Sequence, residues 1–241
     1  MNTELAGRST IVVGASRGLG RGIALAFAAE GAHVVGVSRS APAEDAAGVS
    51  LELADAADPA TARRILDKYQ PDILIVVAGA IPVSRPLPEH TWETFSVHWQ
   101  ADVKIAFGWV REALVTPMPP GSRIVVVSSG AAVNGSPASG GYAGAKATQR
   151  FIAAYAREES DRAGLGITVT AVLPAMTPAG QVGREGIRAY AARNGQTEAA
   201  LMAGMGQLLT AETAGAAMVE LVLDPAPAAS YLLTASGLVM S

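Results

Sequence analysis

With 241 residues, half of them hydrophobic and 16% charged, the chain suits a single α/β domain whose sheet is covered on both faces. A net charge of −3 and no basic run longer than two residues argue against nucleic acid as a partner, and the absence of cysteine excludes disulfides, thiolate metal sites and a cysteine nucleophile. Residues 1–8 lack the charged-then-apolar layout of a signal peptide. The longest apolar runs fall far below the roughly 20 residues of a membrane span, so a soluble, cytoplasmic protein with no membrane contact is expected.

Residues 9–13 read as a first strand, and Gly14-Ala15-Ser16-Arg17-Gly18-Leu19-Gly20 follows it directly. A helical pattern then runs over 21–30 and stops at Gly31, a natural C-cap. A strand, a glycine turn and a helix N-terminus in succession form a phosphate cradle, because backbone N–H groups and the helix dipole converge where glycine lets a ligand approach. An ordinary glycine-rich turn would not need a second strand behind it, and residues 33–37 supply one. It ends in Ser38-Arg39, where an acidic side chain would grip the adenosine ribose hydroxyls of NAD. No carboxylate stands there. Ser38 and Arg39, with Arg17, suit the 2′-phosphate of NADP; solvated surface arginines are the competing explanation.

Residues 51–53 look like a short third strand, and Asp58-Pro59 starts a helix reaching about residue 69, with Asp as N-cap and Pro at the first helical position. Residues 73–77 form a fourth strand. From 90 to 115 the pattern is helical, with Trp92, Phe95, Trp99, Val103, Phe107 and Val110 as core or interface residues. His98 and Asp102 lie at i,i+4 spacing within it, but no nearby residue completes a ligand set, so no metal is expected.

The β-branched run 123–127 reads as a buried parallel strand that places Ser128 and Ser129 at its C-terminal end. After a Gly/Ser/Pro loop, an Ala-rich helix over 142–157 puts Tyr142 and Lys146 on one face, four residues apart. A free phenol has a pKa of about 10, too high for proton transfer near neutrality, and an adjacent ammonium lowers it by roughly 1 to 3 units. A hydroxyl such as Ser129 then holds a substrate carbonyl while the phenol moves a proton. Tyr-x-x-x-Lys by itself equally fits a helix with a surface lysine. Residues 167–173 give a sixth strand, ending in Pro174-Ala175-Met176-Thr177. Residues 178–209 are rich in Gly, Ala, Met and Gln with poor periodicity; 211–223 form a last helix and 231–240 a final strand. No repeat or linker suggests a second domain.

The stretch 128–146 resembles the active-site segment of the short-chain dehydrogenase/reductase family, whose serine lies thirteen residues before its tyrosine; Ser129 meets that spacing and Ser128 does not. The glycine spacing Gly14-x-x-x-Gly18-x-Gly20 is that family's version. The resemblance covers essentially the whole chain. It implies a doubly wound Rossmann-like fold with a largely parallel seven-stranded sheet, a substrate lid at about 176–210, and pairing into a homodimer or homotetramer through the helices carrying Trp99, Phe107 and Trp109 and carrying Phe151 and Tyr155. It further implies an NADP(H)-dependent oxidoreductase acting on a small-molecule carbonyl or alcohol. Ser129 would orient the carbonyl, Tyr142 act as general acid/base, and Lys146 tune Tyr142 and hold the nicotinamide ribose. Gly14, Ser16, Arg17, Gly18, Leu19 and Gly20 would cradle the cofactor phosphates, Ser38 and Arg39 the 2′-phosphate. Asp55 would meet the adenine, and Ala78, Gly79, Pro174 and Thr177 the rest of the dinucleotide.

Four departures accompany the resemblance. Val13 replaces a threonine, Val76-Val77 replace two asparagines, Ala175 replaces a glycine, and Asp102 falls where the family carries a catalytic-site asparagine. A carboxylate there would favour the Lys146 ammonium and oppose a Tyr142 phenolate. The replaced asparagines, Asp102 and Ala175 support a different reading, a nucleotide-binding sensor or scaffold with little turnover; the intact Ser129, Tyr142 and Lys146 set speaks against it.

Overall fold

The computed structural model describes residues 4–43, 47–178 and 180–241. Strands β1 (Ser9–Val13), β2 (His33–Ser38), β3 (Val49–Leu53), β4 (Ile73–Val76), β5 (Arg123–Val127), β6 (Thr168–Pro174), β7 (Ser230–Thr234) and β8 (Gly237–Met240) form one sheet, in the order β3-β2-β1-β4-β5-β6-β7-β8. All neighbours pair parallel except β7 and β8. The helices are α1 (Gly18–Ala29), α2 (Pro59–Tyr69), α3 (Trp92–His98), α4 (Lys104–Val115), α5 (Ala131–Asn134), α6 (Tyr142–Ala163), α7 (Gln181–Arg193), α8 (Glu198–Gly204) and α9 (Ala211–Leu223).

Strand side chains alternate between two cores, as the two-residue period of a strand requires. Ile11, Val13, Leu74, Val76, Ile124 and Val126 face α2, α4 and α6. Val12, Ile73, Ile75, Val125 and Val127 face α1 and α9. Both faces being covered explains why the central strands are continuous apolar runs. The strand order reverses between β1 and β4, and in such sheets ligands settle beyond the carboxyl ends of the strands at that reversal.

Local signals placed several ends well. Asp58 accepts a hydrogen bond from Ala60 N at 3.0 Å and Pro59 takes the first turn of α2, because the cap and the fixed proline φ act within one turn. Other expectations require correction. The sheet has eight strands rather than seven: residues 231–240 are not one strand but the β7–β8 hairpin, turned at Gly237 with φ of 107°. The helical stretch 90–115 is broken by a π-helical turn over Trp99–Val103, which contains Asp102. Trp109 does not belong to an exposed face; it is fully buried and donates its indole N–H to Ala56 O at 3.1 Å. Phe107, Phe151 and Tyr155 remain exposed on α4 and α6. The weakly periodic stretch after β6 contains two helices, α7 and α8.

Candidate active site

The carboxyl ends of β1, β4, β5 and β6 open into one cavity of about 740 Å³. On the β1 side, Gly14 has φ of 101°, and a Cβ there would lie 2.8 Å from the Ala78 backbone, so only glycine lets the turn cross this close to the end of β4. Residues 16–20 line the cavity as the chain enters α1. Arg17 is the extended N-cap of that helix and provides no side-chain cap, and the first turn carries no acidic residue. Among the described residues no side chain caps the leading N–H groups of α1 and no carboxylate meets its positive dipole end, the arrangement that receives an anion.

Farther along, Ser38 is nearly buried and its hydroxyl donates to Ser40 O at 2.7 Å. Arg17 and Arg39 are exposed at the cavity rim, with no ion-pair partner among the described residues. Asp55 also lines the cavity, its Oδ1 accepting from Ala57 N at 3.0 Å. Ala78 and Gly79 form the floor beside it.

At the end of β5 the two serines separate. Ser128 Oγ donates to the Lys146 carbonyl at 2.6 Å and ties the strand to α6. Ser129 is half-buried, lines the cavity and accepts a bond from Ala131 N at 3.2 Å, which leaves its hydroxyl proton available. Tyr142 opens α6, and both it and Lys146 line the same cavity, with Nζ 5.5 Å from the centre of the tyrosine ring. The structure thus brings Ser129, Tyr142 and Lys146 to one wall and the glycine cradle to the adjoining one.

Behind Lys146 lies a buried network. Asp102, 1% exposed, sits in the π-helical turn with Oδ1 3.2 Å from Lys146 Nζ and Oδ2 3.1 Å from His98 Nδ1. Oδ2 also accepts from Ala80 N at 2.8 Å, and a Cβ on Gly79 would meet Oδ1 at 2.5 Å. The carboxylate thus fastens the loop after β4. Burial works to raise the Asp102 pKa, but the Lys146 charge, the His98 hydrogen bond and charge, and the Ala80 amide outweigh it and bring it to about 2. Burial likewise works against the Lys146 ammonium, yet Asp102 and Tyr142 hold its pKa above the ordinary lysine value. The two groups form an ion pair. Gln149, fully buried, completes the network: its Oε1 accepts from Lys146 Nζ at 2.8 Å and its Nε2 donates to the Asp102 carbonyl at 2.9 Å. The His98 ring meets the Tyr142 ring edge to face at 5.1 Å.

The far wall comes from β6 and α7. Pro174 O accepts from Gly130 N at 2.9 Å, and Ala175 donates to Leu233 O at 2.8 Å without a left-handed φ, so alanine fits where glycine was expected. Thr177 is buried against the cavity, with its hydroxyl donating to Leu209 O. Tyr190 of α7 reaches Ser136 across the opening, hydroxyl to hydroxyl at 2.9 Å. Sequence reasoning missed Gln149 and Tyr190 and considered His98 only as a metal ligand. Gln149 had a signal, since i,i+3 spacing puts it on the Lys146 face; Tyr190 had none, because its partner lies 54 residues away.

The sequence model of the family described as short chain dehydrogenase matches residues 8–185. The L-xylulose reductase of Bos taurus is 35% identical over 144 residues, covering 56% of this chain and 58% of its own length. The 3beta-hydroxysteroid dehydrogenase of Mediterraneibacter gnavus is 31% identical over 182 residues, 69% of this chain and 65% of its own. The matched part spans about half the length of the L-xylulose reductases, 45% and 58% for those of Mesocricetus auratus and Bos taurus. Among solved structures, an Agrobacterium tumefaciens protein of provisional 2-deoxy-d-gluconate 3-dehydrogenase assignment, solved with bound NADP, superposes with a TM-score of 0.79 at 27% identity, covering 98% of each chain. A family match over residues 8–185, joined to a cavity that gathers the glycine cradle with Ser129, Tyr142 and Lys146, places this chain in the short-chain dehydrogenase family.

Proposed function

We propose that the chain is an NADP(H)-dependent oxidoreductase that reduces the carbonyl of a small molecule or oxidises the matching alcohol, as one domain with a lid at about 176–210. The observation that carries this reading is the meeting of the phosphate cradle and the Ser129, Tyr142, Lys146 wall in a single cavity. The dinucleotide fits the residues present: a helix N-terminus with no side-chain cap for its pyrophosphate, and Arg17 and Arg39, without an ion-pair partner among the described residues, with Ser38 for a 2′-phosphate. Asp55 borders the adenine end, while Ala78, Gly79, Pro174 and Thr177 border the remainder. When bound, the cofactor supplies or accepts the hydride.

The protein's own residues do the rest. Ser129 donates its free hydroxyl proton to the carbonyl oxygen and fixes its position. Tyr142 gives its phenolic proton to the same oxygen during reduction and takes it back during oxidation. Lys146 stays an ammonium throughout and contributes positive field beside the phenol. The Asp102 ion pair weakens that field, and this is the observation that favours the sensor reading. Incubation with NADPH and a panel of ketones, aldehydes, quinones and 3-oxoacyl thioesters separates the two: turnover of any supports the enzyme, and tight NADPH binding with no turnover of all supports the sensor.

NADPH is expected to bind about ten- to hundredfold more tightly than NADH, since one charge-assisted contact to the 2′-phosphate contributes roughly 1.5 to 3 kcal/mol. Equal dissociation constants by fluorescence titration would remove Arg17, Ser38 and Arg39 from the phosphate site.

A homodimer or homotetramer is also expected. Phe107, Phe151 and Tyr155 are exposed by 56%, 64% and 54% on α4 and α6, a face more apolar than a monomer needs. Light scattering at micromolar concentration checks this, and a monomeric mass rejects it. No helix among the described residues is long and apolar enough to cross a membrane.

A further inference from the structure

We propose that the hydroxyl pair of Ser136 and Tyr190 is the specificity element of the cavity, selecting uncharged ketones or alcohols that carry a second hydroxyl at the end remote from the reacting carbon. The proposal rests on the function given above and adds to it the class of substrate. The pair spans the cavity between two walls that the chain fixes separately, hydroxyl to hydroxyl at 2.9 Å. On one wall, Ser136 opens a turn in which its carbonyl accepts from Ser139 N at 3.1 Å and from Ser139 Oγ at 3.0 Å. The Ser139 carbonyl accepts in turn from Tyr142 N at 3.2 Å, and Ser139 also forms a β-bridge with Arg85. Consecutive bonds therefore tie Ser136 to the residue that presents the phenol, which sets its position relative to the reacting oxygen.

The other wall is α7. Gly183 crosses the Thr177 backbone so closely that a Cβ would lie 1.6 Å from its carbonyl oxygen, and Ile187 and Ala191, one turn apart, are buried. The face turned to the cavity carries Val182, Gly183, Gly186, Ala189 and Tyr190. Small side chains leave a hollow along the helix, and the one large side chain with a polar tip closes it. Charge is spread unevenly around this cavity. Among the described residues its charged lining consists of Arg17, Arg39 and Asp55 on the β1–β3 side and of the Asp102 and Lys146 ion pair. Arg184 and Arg188 of α7 line a neighbouring cleft instead; Arg184 donates to Pro178 O at 3.2 Å and Arg188 pairs with Glu185 at 2.7 Å. The end bounded by Ser136 and Tyr190 thus offers hydroxyls and no ionic partner.

Two hydroxyls bonded to each other share one proton and keep a second to donate, with lone pairs to spare. A substrate hydroxyl placed between them exchanges one bond for two, one donated and one accepted, whereas an apolar tail gains contact alone. A carboxylate at the same place would leave water for a wall that has donors but no cation, and its desolvation is not made good. The pair closes on itself when no substrate oxygen arrives. An analogue without the hydroxyl is therefore tolerated rather than excluded, and the preference is a graded one of about tenfold.

The test titrates 4-phenyl-2-butanone, 4-(4-hydroxyphenyl)-2-butanone and 4-(4-carboxyphenyl)-2-butanone into the protein by calorimetry, in the presence of excess NADP⁺, which cannot reduce a ketone. The hydroxylated ketone is expected to bind about tenfold more tightly than the phenyl ketone, and the carboxylate at least about tenfold more weakly than the phenyl ketone. In Tyr190→Phe and in Ser136→Ala the advantage of the hydroxyl is expected to fall below about threefold while the phenyl ketone binds as before. The double variant is expected to lose no more than either single one, because the two hydroxyls act as a unit. Equal binding of the hydroxylated and phenyl ketones by the parent protein, or no binding of the hydroxylated one, would overturn the proposal. Variants that weaken both ketones alike would assign the pair to holding α7 in place and would overturn it as well. Selective binding in a protein that reduces none of the three with NADPH would leave the pair standing and sink the functional reading alone.

Discussion

Tyr142→Phe is expected to lower kcat for carbonyl reduction by about 10² to 10⁴-fold while the dissociation constant for NADPH changes little, the range that a positioned general acid supplies. The substitution removes one oxygen and keeps the ring. The ring carries the edge-to-face meeting with His98 at 5.1 Å and the approach of Lys146 Nζ at 5.5 Å. Stability and cofactor binding therefore have little reason to change. Stopped-flow turnover, NADPH titration and thermal unfolding on the same preparation check the three parts together. Substantial residual turnover would remove the residue on which the mechanism depends, and a lost NADPH affinity would mean that the phenol holds the cofactor rather than the reacting oxygen.

The second large effect concerns Asp102→Asn. In the parent protein a carboxylate lies 3.2 Å from Lys146 Nζ and cancels part of the field that the ammonium exerts on Tyr142. Removing a negative charge from the neighbourhood of a phenol favours its ionised form. The pH profile of kcat/KM is therefore expected to move downward in the variant, so that alcohol oxidation proceeds at lower pH. The comparison needs a substrate for which hydride transfer limits the rate. An unmoved profile would show that the ion pair does not reach the reacting phenol.

The same substitution has a stability cost with a defined pH dependence. Asp102 is held at about 2, below its ordinary value of 3.8, so its contribution is fully present above about pH 4 and is lost as pH falls through about 2. That difference corresponds to about 2 kcal/mol. Lys146 runs the other way: held above 10.5, it contributes fully below that pH and loses its contribution as pH rises through the higher folded value. Asp102→Asn leaves a buried ammonium facing a neutral amide, and breaking such a pair costs about 3 kcal/mol. The deficit against the parent protein is expected to be full at pH 7 and to shrink between pH 4 and pH 2. Urea denaturation at pH 7 and pH 3 measures it. An equal deficit at both would assign the cost to packing against Gly79 rather than to charge.

Asp102 also marks the division between what could be read along the chain and what could not. The sequence by itself determined the order of the first six strands, the start of α2 at Asp58-Pro59, the glycine turn after β1 and the joint face of Tyr142 and Lys146. Each of these rests on forces acting within a few residues, namely capping, periodicity and glycine's access to left-handed backbone. Only the tertiary structure decided the rest. A helix with aromatic residues on both faces does not declare which one is buried, and Trp109 went to the core while Phe107 stayed outside. A run of apolar residues with one glycine reads as a single strand until Gly237 turns it back on β7. The contacts of the buried carboxylate with Ala80 and Lys146, and of its backbone carbonyl with Gln149, depend on the crossing of three chain segments at the switch point. Charges and hydrogen bonds act through space at distances of about 3 Å, and the order of residues does not specify which distant groups the fold will bring that close.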